Sequence, residues 1–519
     1  MKRSLPDILI IFLLTAATII FEISLSRLFS YLLSFHFVLI IIAFSILGLG
    51  IGQISYAKFY NRMDKAWDFW AALPVIAMFL GFSLLLVLSK IGSSSFNNLG
   101  LLAFIVFSIV PFIAIGIVYA FIFEKNKRHA STFYAIDLIG AAGGALVSVF
   151  LLNTFSLVYV VAIVIGLLLL VWAINALANT NRYSRALALL SVAIIILMGL
   201  GKDALDIDIP VSKDPSKDMY RLMNNPALQS EKLESRWSAF GKTDLVQFTY
   251  PDSTVSKTMF IDGAAGTEVV NIDELAKDTT KMRKALSGFP AVFAMNFVNE
   301  NDKDSVLIIG PGGGIDIAAA YFSGYSYVDA VEVNPSFVRL MEKYNPATFL
   351  EKENIKVVVN EGRNFVIQNK GKYDAILLTI PVTKGSRGTD FYGLTENYLF
   401  TMEALADYLE GLTENGAIYF TMHGRQEVYK MLANYLELQD RMGIGQKEAL
   451  KKVYIFSNGM NPVLVIKKTP FEQEIIEEVH RIAHYLELDQ DVFYFPYIKQ
   501  EGLDTIVQNV NYQWFMFDD

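Results

Sequence analysis

The sequence contains no cysteine, which excludes disulfide scaffolds, thiolate metal sites and cysteine nucleophiles. Charge is scarce: Lys, Arg, Asp and Glu make up 18% of the 519 residues, against 53% apolar residues. Disordered chains show the opposite balance, so disorder is excluded. There is no surplus of positive charge either. A net charge of -8 does not fit a nucleic-acid binder, which carries a basic stripe. The scarcity of charge is uneven along the chain. Residues 1–201 hold 12 Lys+Arg and 6 Asp+Glu, whereas the remainder hold 32 and 46. A weakly basic apolar part is joined to an acidic polar one, and the length predicts at least two domains.

What the first part does have is long apolar runs. A transmembrane helix needs roughly 20 such residues, and seven candidates lie near 6–29, 35–57, 70–89, 99–123, 133–152, 155–178 and 186–201. No small-residue cleavage site follows the first, so it reads as a membrane span and not as a signal peptide. Small residues punctuate two spans, Gly48, Gly50 and Gly52 in the second and Gly140, Ala141, Ala142, Gly143 and Gly144 in the fifth. Close helix packing is their expected role. Lys2, Arg3, Lys58, Arg62, Lys65, Lys125, Lys127, Arg128, Arg182 and Arg185 all fall on the side of the N-terminus, with Lys90 nearly alone opposite. The positive-inside rule then predicts a cytoplasmic N-terminus. The seventh run, about 16 residues between Arg185 and Lys202, is at or below the usual minimum. If it does not cross, residues 202–519 are cytoplasmic, which is the expectation taken here; if it crosses, they lie outside. Glu22, Arg27 and Asp137 are ionisable residues in or near spans, where charge is costly. They are expected to form a structural polar cluster, with a substrate or proton path as the alternative.

After Lys202 the pattern changes. Residues 202–237 are polar and proline-bearing and read as a linker. Within 238–300, Asp244–Tyr250 and Lys257–Asp262 alternate as strands around a Pro251-Asp-Ser253 turn, predicting a small β element. Residues 301–519 alternate strand and helix, which predicts a parallel, Rossmann-like sheet with ligands at the carboxyl ends of its strands. The strands are Ser305–Ile309, Tyr327–Val331, Ile355–Val359, Tyr373–Leu378 and Gly416–Thr421. The first leads into Gly310-Pro-Gly-Gly-Gly314, and the second ends at Glu332. Glycines let the backbone turn sharply and let a ligand approach the main chain. An acid about 20 residues on can accept hydrogen bonds from both ribose hydroxyls. Ile315 replaces the third glycine of the dinucleotide fingerprint, and only one short helix precedes Glu332. Both features favour an adenosyl nucleoside over NAD or FAD.

The runs Val306-Leu-Ile-Ile-Gly-Pro-Gly-Gly-Gly314, Ala330-Val-Glu-Val-Asn-Pro335, Glu361-Gly-Arg363 and Leu394–Glu403, with Tyr134–Gly143 and Glu22…Arg27 in the membrane part, resemble the bacterial multi-pass membrane proteins related to spermidine synthase. The resemblance extends from the first span to about Tyr497. It implies a class I methyltransferase-like fold behind a small β domain, binding S-adenosylmethionine, its decarboxylated form or methylthioadenosine. Gly310, Gly312, Gly313 and Gly314 would form the nucleoside loop. Glu332 would hold the ribose, and Glu361 would stand on the adenine side, where the family more often has Asp. Location in the bacterial inner membrane follows from the same likeness. Soluble spermidine synthases place two acids after the fourth strand; here those positions read Thr379, Val382 and Thr383. Ile261-Asp-Gly263 is kept from a second element, but Gly266 replaces its glutamine.

The resulting expectation is a membrane-embedded transferase acting on an amine, lipid-linked or membrane-proximal acceptor, with Asp262, Glu396 and His423 as acceptor-side catalytic candidates. The alternative is an inactive adenosyl- or polyamine-binding domain that regulates a membrane transporter or scaffold. Expected partners are the lipid bilayer, a small-molecule acceptor and a second copy in a homo-oligomer, with no nucleic acid. No metal site is expected: His480 and His484 have a helical i, i+4 spacing, but no other ligand motif lies nearby. The loop Lys384–Asp390 has the length and composition of a lid, and Trp514–Phe517 of a docking segment.

Overall fold

The computed structural model describes residues 5–33, 36–63, 70–92, 98–178, 182–344, 352–380, 398–459 and 461–499. The lid candidate, Glu396 and the Trp514–Phe517 segment lie outside these residues. Two compact units result, residues 1–255 with 260–266, and residues 256–259 with 267–519.

In a bilayer the backbone must satisfy its own polar groups, so apolar runs fold as helices. Those of the first unit are α1 (Leu5–Leu32), α2 (His36–Met63), α3 (Leu73–Gly92), α4 (Asn98–Lys125), α5 (Ala130–Thr154), α6 (Leu157–Ala178) and α7 (Arg182–Leu200). Six of them, α1 to α6, are long and apolar enough to cross a membrane; the apolar run of α7 is shorter, Arg185–Leu200. Yet α7 lies antiparallel along α6 from end to end. Ala188 packs with Ala173 and Ala176, Gly166 approaches Ile195, and Lys202 Nζ sits 5.1 Å from the centre of the Phe155 ring. Its 19 residues extend about 28 Å, close to the thickness of a hydrocarbon core.

Most of the small residues pack as expected. A Cβ on Gly52 would stand 2.2 Å from the Ile113 carbonyl oxygen, and one on Gly144 2.8 Å from that of Ala16. Gly50 is the exception, with open space around it. The expected cluster of Glu22, Arg27 and Asp137 is not one cluster. Asp137 accepts from Thr15 Oγ1 at 2.6 Å and Tyr119 Oη at 3.1 Å, whereas Arg27 Nη1 donates to the Phe240 carbonyl at 3.3 Å. Thr15 and Arg27 are about 18 Å apart along α1, so the ionisable groups serve different ends of the bundle.

At the carboxyl ends of α1 and α5 the helices meet a four-stranded sheet in the order β1 (Gln229–Ser238), β2 (Gly241–Thr249), β3 (Val255–Ile261), β4 (Ala264–Glu268). Strand β1 and a short helix, Asp218–Met223, fall inside the stretch read as a linker. The correction has a physical cause: β1 is an edge strand of mostly half-buried polar residues, so it carries no apolar alternation. Met219, Val246, Phe248 and Phe260 form the small core beneath this sheet.

The second unit is built on an eight-stranded sheet. After β5 (Ser305–Ile309), β6 (Tyr327–Glu332), β7 (Ile355–Val359), β8 (Tyr373–Thr379) and β9 (Leu412–Thr421) come β10 (Val453–Asn458), β11 (Val463–Lys467) and β12 (Asp489–Gln490). The order is β12-β10-β11-β9-β8-β5-β6-β7. Strands β5 to β9 are parallel, and β11 runs antiparallel to β9. Sequential strands depart from β5 on one side and from β8 on the other, so the β5/β8 pair is the topological switch point where such sheets bind ligands. Val306, Leu307, Ile308, Ile376, Leu377 and Leu378 are fully buried there, as expected of strands covered on both faces.

Candidate functional site

At the switch point, β5 delivers the glycine loop into helix α8 (Ile315–Phe322). Gly310, Gly312 and Gly314 have φ of 75°, 52° and 99°, a region open to glycine at little cost. Gly313 is small for another reason: a Cβ there would stand 1.8 Å from the Glu268 carbonyl oxygen. Its N–H donates to Thr267 Oγ1 and its carbonyl accepts from Val270 N–H, both at 2.9 Å. The loop's other glycine N–H groups are also engaged. Gly310 donates to Val331 O and Gly314 to Pro311 O, each at 2.9 Å, and Gly312 to the Glu332 carboxylate. No nest of free N–H groups remains on these glycines to cradle a pyrophosphate, which agrees with a nucleoside-sized ligand.

Glu332, at the end of β6, is 5% exposed. Its Oε1 accepts from Asn334 N–H at 2.9 Å, and the N–H groups of Gly312 and Val333 also favour the carboxylate. Burial outweighs them and pushes its pKa up to about 7. The acid and the glycine loop are thus held in one fixed arrangement. Glu361 is exposed and caps helix Gly362–Ile367, accepting from Arg363 N–H at 3.0 Å and Asn364 N–H at 2.7 Å. Gly362 next to it is obligatory, since a Cβ would lie 2.4 Å from Ile309 Cγ2.

Asp316, in the first turn of α8, has no signal of its own in the sequence. It is 3% exposed, and its Oδ1 has no hydrogen-bond partner among the described residues. Burial pushes its pKa up to about 7, with the nearby Thr379 hydroxyl pulling the other way. Thr421 Oγ1 is likewise buried without a partner among the described residues, while Thr379 Oγ1 faces the Asp316 carboxylate. These two threonines are register partners at the ends of β8 and β9.

Of the acceptor-side candidates, His423 follows β9. Its N–H donates to Glu427 Oε2 at 2.9 Å, and its Nδ1 lies 3.4 Å from the same oxygen. Glu396 is outside the described residues. Asp262 belongs to the first unit, where it accepts from Ser30 Oγ at 2.6 Å and Lys242 N–H at 2.8 Å. Burial raises its pKa, while Lys217 and Arg27 favour its charged form. Lys242 itself is fully buried, donating to Ile209 O at 3.0 Å and Asp208 Oδ1 at 2.8 Å beneath the Tyr31 ring. This ionic group around Asp262 was not legible in the sequence, because its members are spread from Arg27 to Asp262. His480 packs edge-on against Phe495 and His484 Nδ1 lies 2.6 Å from Asp489 Oδ2, so the two imidazoles turn to different partners.

No family model matches the chain. It is 25% identical over 445 residues to polyamine aminopropyltransferase 1 of Streptomyces coelicolor, covering 80% of this chain and 76% of that protein. It is 32% identical over 123 residues to a polyamine aminopropyltransferase of Clostridium botulinum, covering 23% of this chain and 40% of that one. Among solved structures, spermidine synthase from Thermotoga maritima aligns with a TM-score of 0.33 at 17% identity, covering 50% of this chain and 84% of that chain.

Proposed function

We propose that this spermidine synthase-like chain is a membrane-embedded transferase that binds S-adenosylmethionine or its decarboxylated form and acts on an amine or membrane-proximal acceptor. The observation that carries the reading is Glu332, a buried carboxylate tied to Gly312 at the strand ends of the switch point. Ionised, it can accept from two ribose hydroxyls, and the glycine N–H groups, already engaged, offer no cradle for phosphates. Catalysis would rest mainly on placing the donor's sulfonium against the acceptor. His423 and Glu396 remain acceptor-side candidates of this reading. Asp262 is better explained as part of the ionic tether between α1 and the small sheet.

We infer further that the chain sits in the bacterial inner membrane with the small sheet on the face opposite the basic loops. Asp7 pairs with Lys125 at the N-terminal end of the bundle, while Ser30, Leu32 and Asn153 at the other end bond to Asp262, Ser212 and Ala239. With α7 aligned along all of α6, this arrangement implies a seventh crossing. It favours the outside over the cytoplasmic placement expected from sequence, and donor would then have to be delivered on that face. The same placement, with Thr379 where an acid is usual, favours a second reading in which the domain senses an adenosyl ligand or polyamine and regulates the helices.

Calorimetry on detergent-purified full-length protein separates these readings. S-adenosylmethionine, its decarboxylated form and methylthioadenosine are titrated in parallel, with Glu332→Ala as the control. Micromolar binding lost in the control supports the site, and product formation from the bound donor supports the transferase. Binding without turnover by any amine supports the sensor. Absence of binding by all three sinks the adenosyl reading.

A further inference from the structure

One face of α1 is polar along the whole helix. Asp7, Thr15, Thr18, Glu22, Ser26 and Ser30 follow one another at steps of three, four or eight residues, which keeps them in line on a helix. Two carboxyls lie on this line at membrane depth. Asp137 of α5 reaches the Thr15 hydroxyl, and Glu22 reaches that of Ser45 on α2. Asp7 pairs with Lys125 at the helix end, but no ion pair reaches Asp137 or Glu22 among the described residues. Charge without a partner is costly there, and acids kept at such depth mark ion pathways and proton relays. The hydroxyls beside them suit either protonation state. Thr15 Oγ1 lies 2.6 Å from Asp137 Oδ1 but also 2.9 Å from Ile11 O. Thr18 Oγ1 has Leu14 O at 2.7 Å and the Tyr119 hydroxyl, and Ser45 Oγ has Ile42 O at 2.9 Å and Glu22. A hydroxyl carries one proton and two lone pairs. It donates to an ionised carboxylate; beside a protonated one it turns its proton to the carbonyl of its own helix and accepts.

We propose that the helix bundle conducts protons, with Asp137 and Glu22 as successive proton-holding groups and Tyr119 and Thr18 as the hydroxyl bridge between them. Tyr119 Oη lies 3.1 Å from Asp137 Oδ1 and also meets the Thr18 hydroxyl. Thr18 stands one turn from Glu22, where i, i+4 side chains are neighbours. Asp137 gives its proton to Tyr119, Tyr119 its own to Thr18, and Thr18 its own to the Glu22 carboxylate. Three O–H bonds break and three form, the negative charge passes from Glu22 to Asp137, and no hydroxyl is left charged. Thr15 and Glu22 are about 10 Å apart along α1, roughly a third of a hydrocarbon core, so the step responds to membrane voltage. A metal cation fits less well. Thr15 Oγ1, Tyr119 Oη and Asp137 Oδ1 stand 2.5 to 3.1 Å from one another, which are hydrogen-bond separations that leave no space for an ion among them. This inference is independent of the adenosyl reading, which concerns the other unit.

The test reconstitutes the full chain in lipid vesicles loaded with potassium and a pH-sensitive dye, in sodium-free buffer. Valinomycin then sets a potential negative inside. Wild-type vesicles should acidify faster than protein-free ones, and more slowly in D2O than in H2O. Asp137→Asn keeps the shape of the side chain and can still accept from Thr15, yet it should reduce acidification to the protein-free level, as should Glu22→Gln. Tyr119→Phe removes one oxygen of the bridge and should slow the flux, and Asp137→Glu should restore part of what Asp137→Asn loses. Glu124→Gln, at an acid paired with Lys127 and off this line, should leave it unchanged. Variants are compared only where they elute from detergent as the wild type does; if Asp137→Asn does not, Glu22→Gln and Tyr119→Phe decide. No acidification by the wild type overturns the proposal. So does wild-type flux in Asp137→Asn, or in both Glu22→Gln and Tyr119→Phe, and so does a flux that appears only when sodium is added.

Discussion

The hydroxyl of Ser30, near the end of α1, donates to Asp262 Oδ2 across 2.6 Å and 232 residues of sequence. Asp262 also accepts from Lys242 N–H, and Lys217 and Arg27 set positive charge around it. Lys217 Nζ in turn donates to the Ser30 carbonyl at 2.6 Å. The turn at Asp262, whose φ is 50°, thereby anchors the carboxyl end of α1. Removing one partner of such a buried set leaves the others uncompensated. Asp262→Ala should cost about 3–5 kcal/mol of stability, read as a lower melting temperature in detergent. Nucleoside affinity, measured on the fraction that remains folded, should not change. A catalytic Asp262 would instead give normal melting and lost turnover.

Glu332 should make stability and nucleoside binding depend on pH in opposite directions. Its carboxyl titrates near 7 in the folded protein against 4.5 as the reference value, and Asp316 near 7 against 3.8. Between those limits the folded state holds protons that the unfolded state has released, so stability falls as pH rises through that window. The loss by pH 8 is about 3 kcal/mol for Glu332 and about 4 kcal/mol for Asp316. Methylthioadenosine affinity should rise over pH 6 to 8, because the ribose needs the ionised form of Glu332. Glu332→Gln should flatten its share of the melting profile and abolish the affinity change. An affinity that falls with rising pH would rule out the ribose role.

Two glycines that look interchangeable with their neighbours should behave differently. Gly313→Ala forces a Cβ to within 1.8 Å of Glu268 O, a backbone atom that cannot swing aside. Loss of about 3 kcal/mol or more, together with loss of nucleoside binding, is the expected result. In the bundle, Gly52→Leu should disrupt the contact of α2 with α4, while Gly50→Leu, which faces open space, should be silent. Yields of folded, monodisperse protein in detergent read both effects. Equal behaviour of the two membrane variants would mean that the close approach does not hold the helices together.

Legibility from sequence followed burial. Ser305–Ile309 is a strand at the residues the apolar run marked, because a strand covered on both faces must be apolar throughout. Glu332 ends β6, as the run Tyr327–Val331 before it predicts. Strand β1 leaves no apolar pattern in the sequence because an edge strand can be polar. Asp316 escaped because nothing local distinguishes a buried acid in the first turn of a helix from a solvated one. Only the third dimension brings it beside Thr379, 63 residues later in the sequence.

The absence of cysteine makes the topology directly measurable, since every introduced thiol is the sole target. The ten basic residues on the side of the N-terminus lead us to expect that this side is cytoplasmic, and the small sheet is bonded to the opposite end of the bundle through Ser30 and Asn153. No helix after Leu200 among the described residues is long and apolar enough to cross back. Lys127→Cys, in the basic turn between α4 and α5, should therefore resist a membrane-impermeant maleimide until cells are permeabilised. Glu300→Cys, whose parent side chain is 85% exposed, should react on intact cells. Protection of both would mean that α7 does not cross, that the bonds seen at Ser30 and Asn153 do not form in the membrane, and that donor is supplied from the cytoplasm. Reaction of Lys127→Cys alone would invert the chain against its own charges. With Glu300→Cys labelled as expected, the proposed adenosyl site lies outside the cytoplasm, and the transferase reading survives only if donor or its precursor is carried to that side.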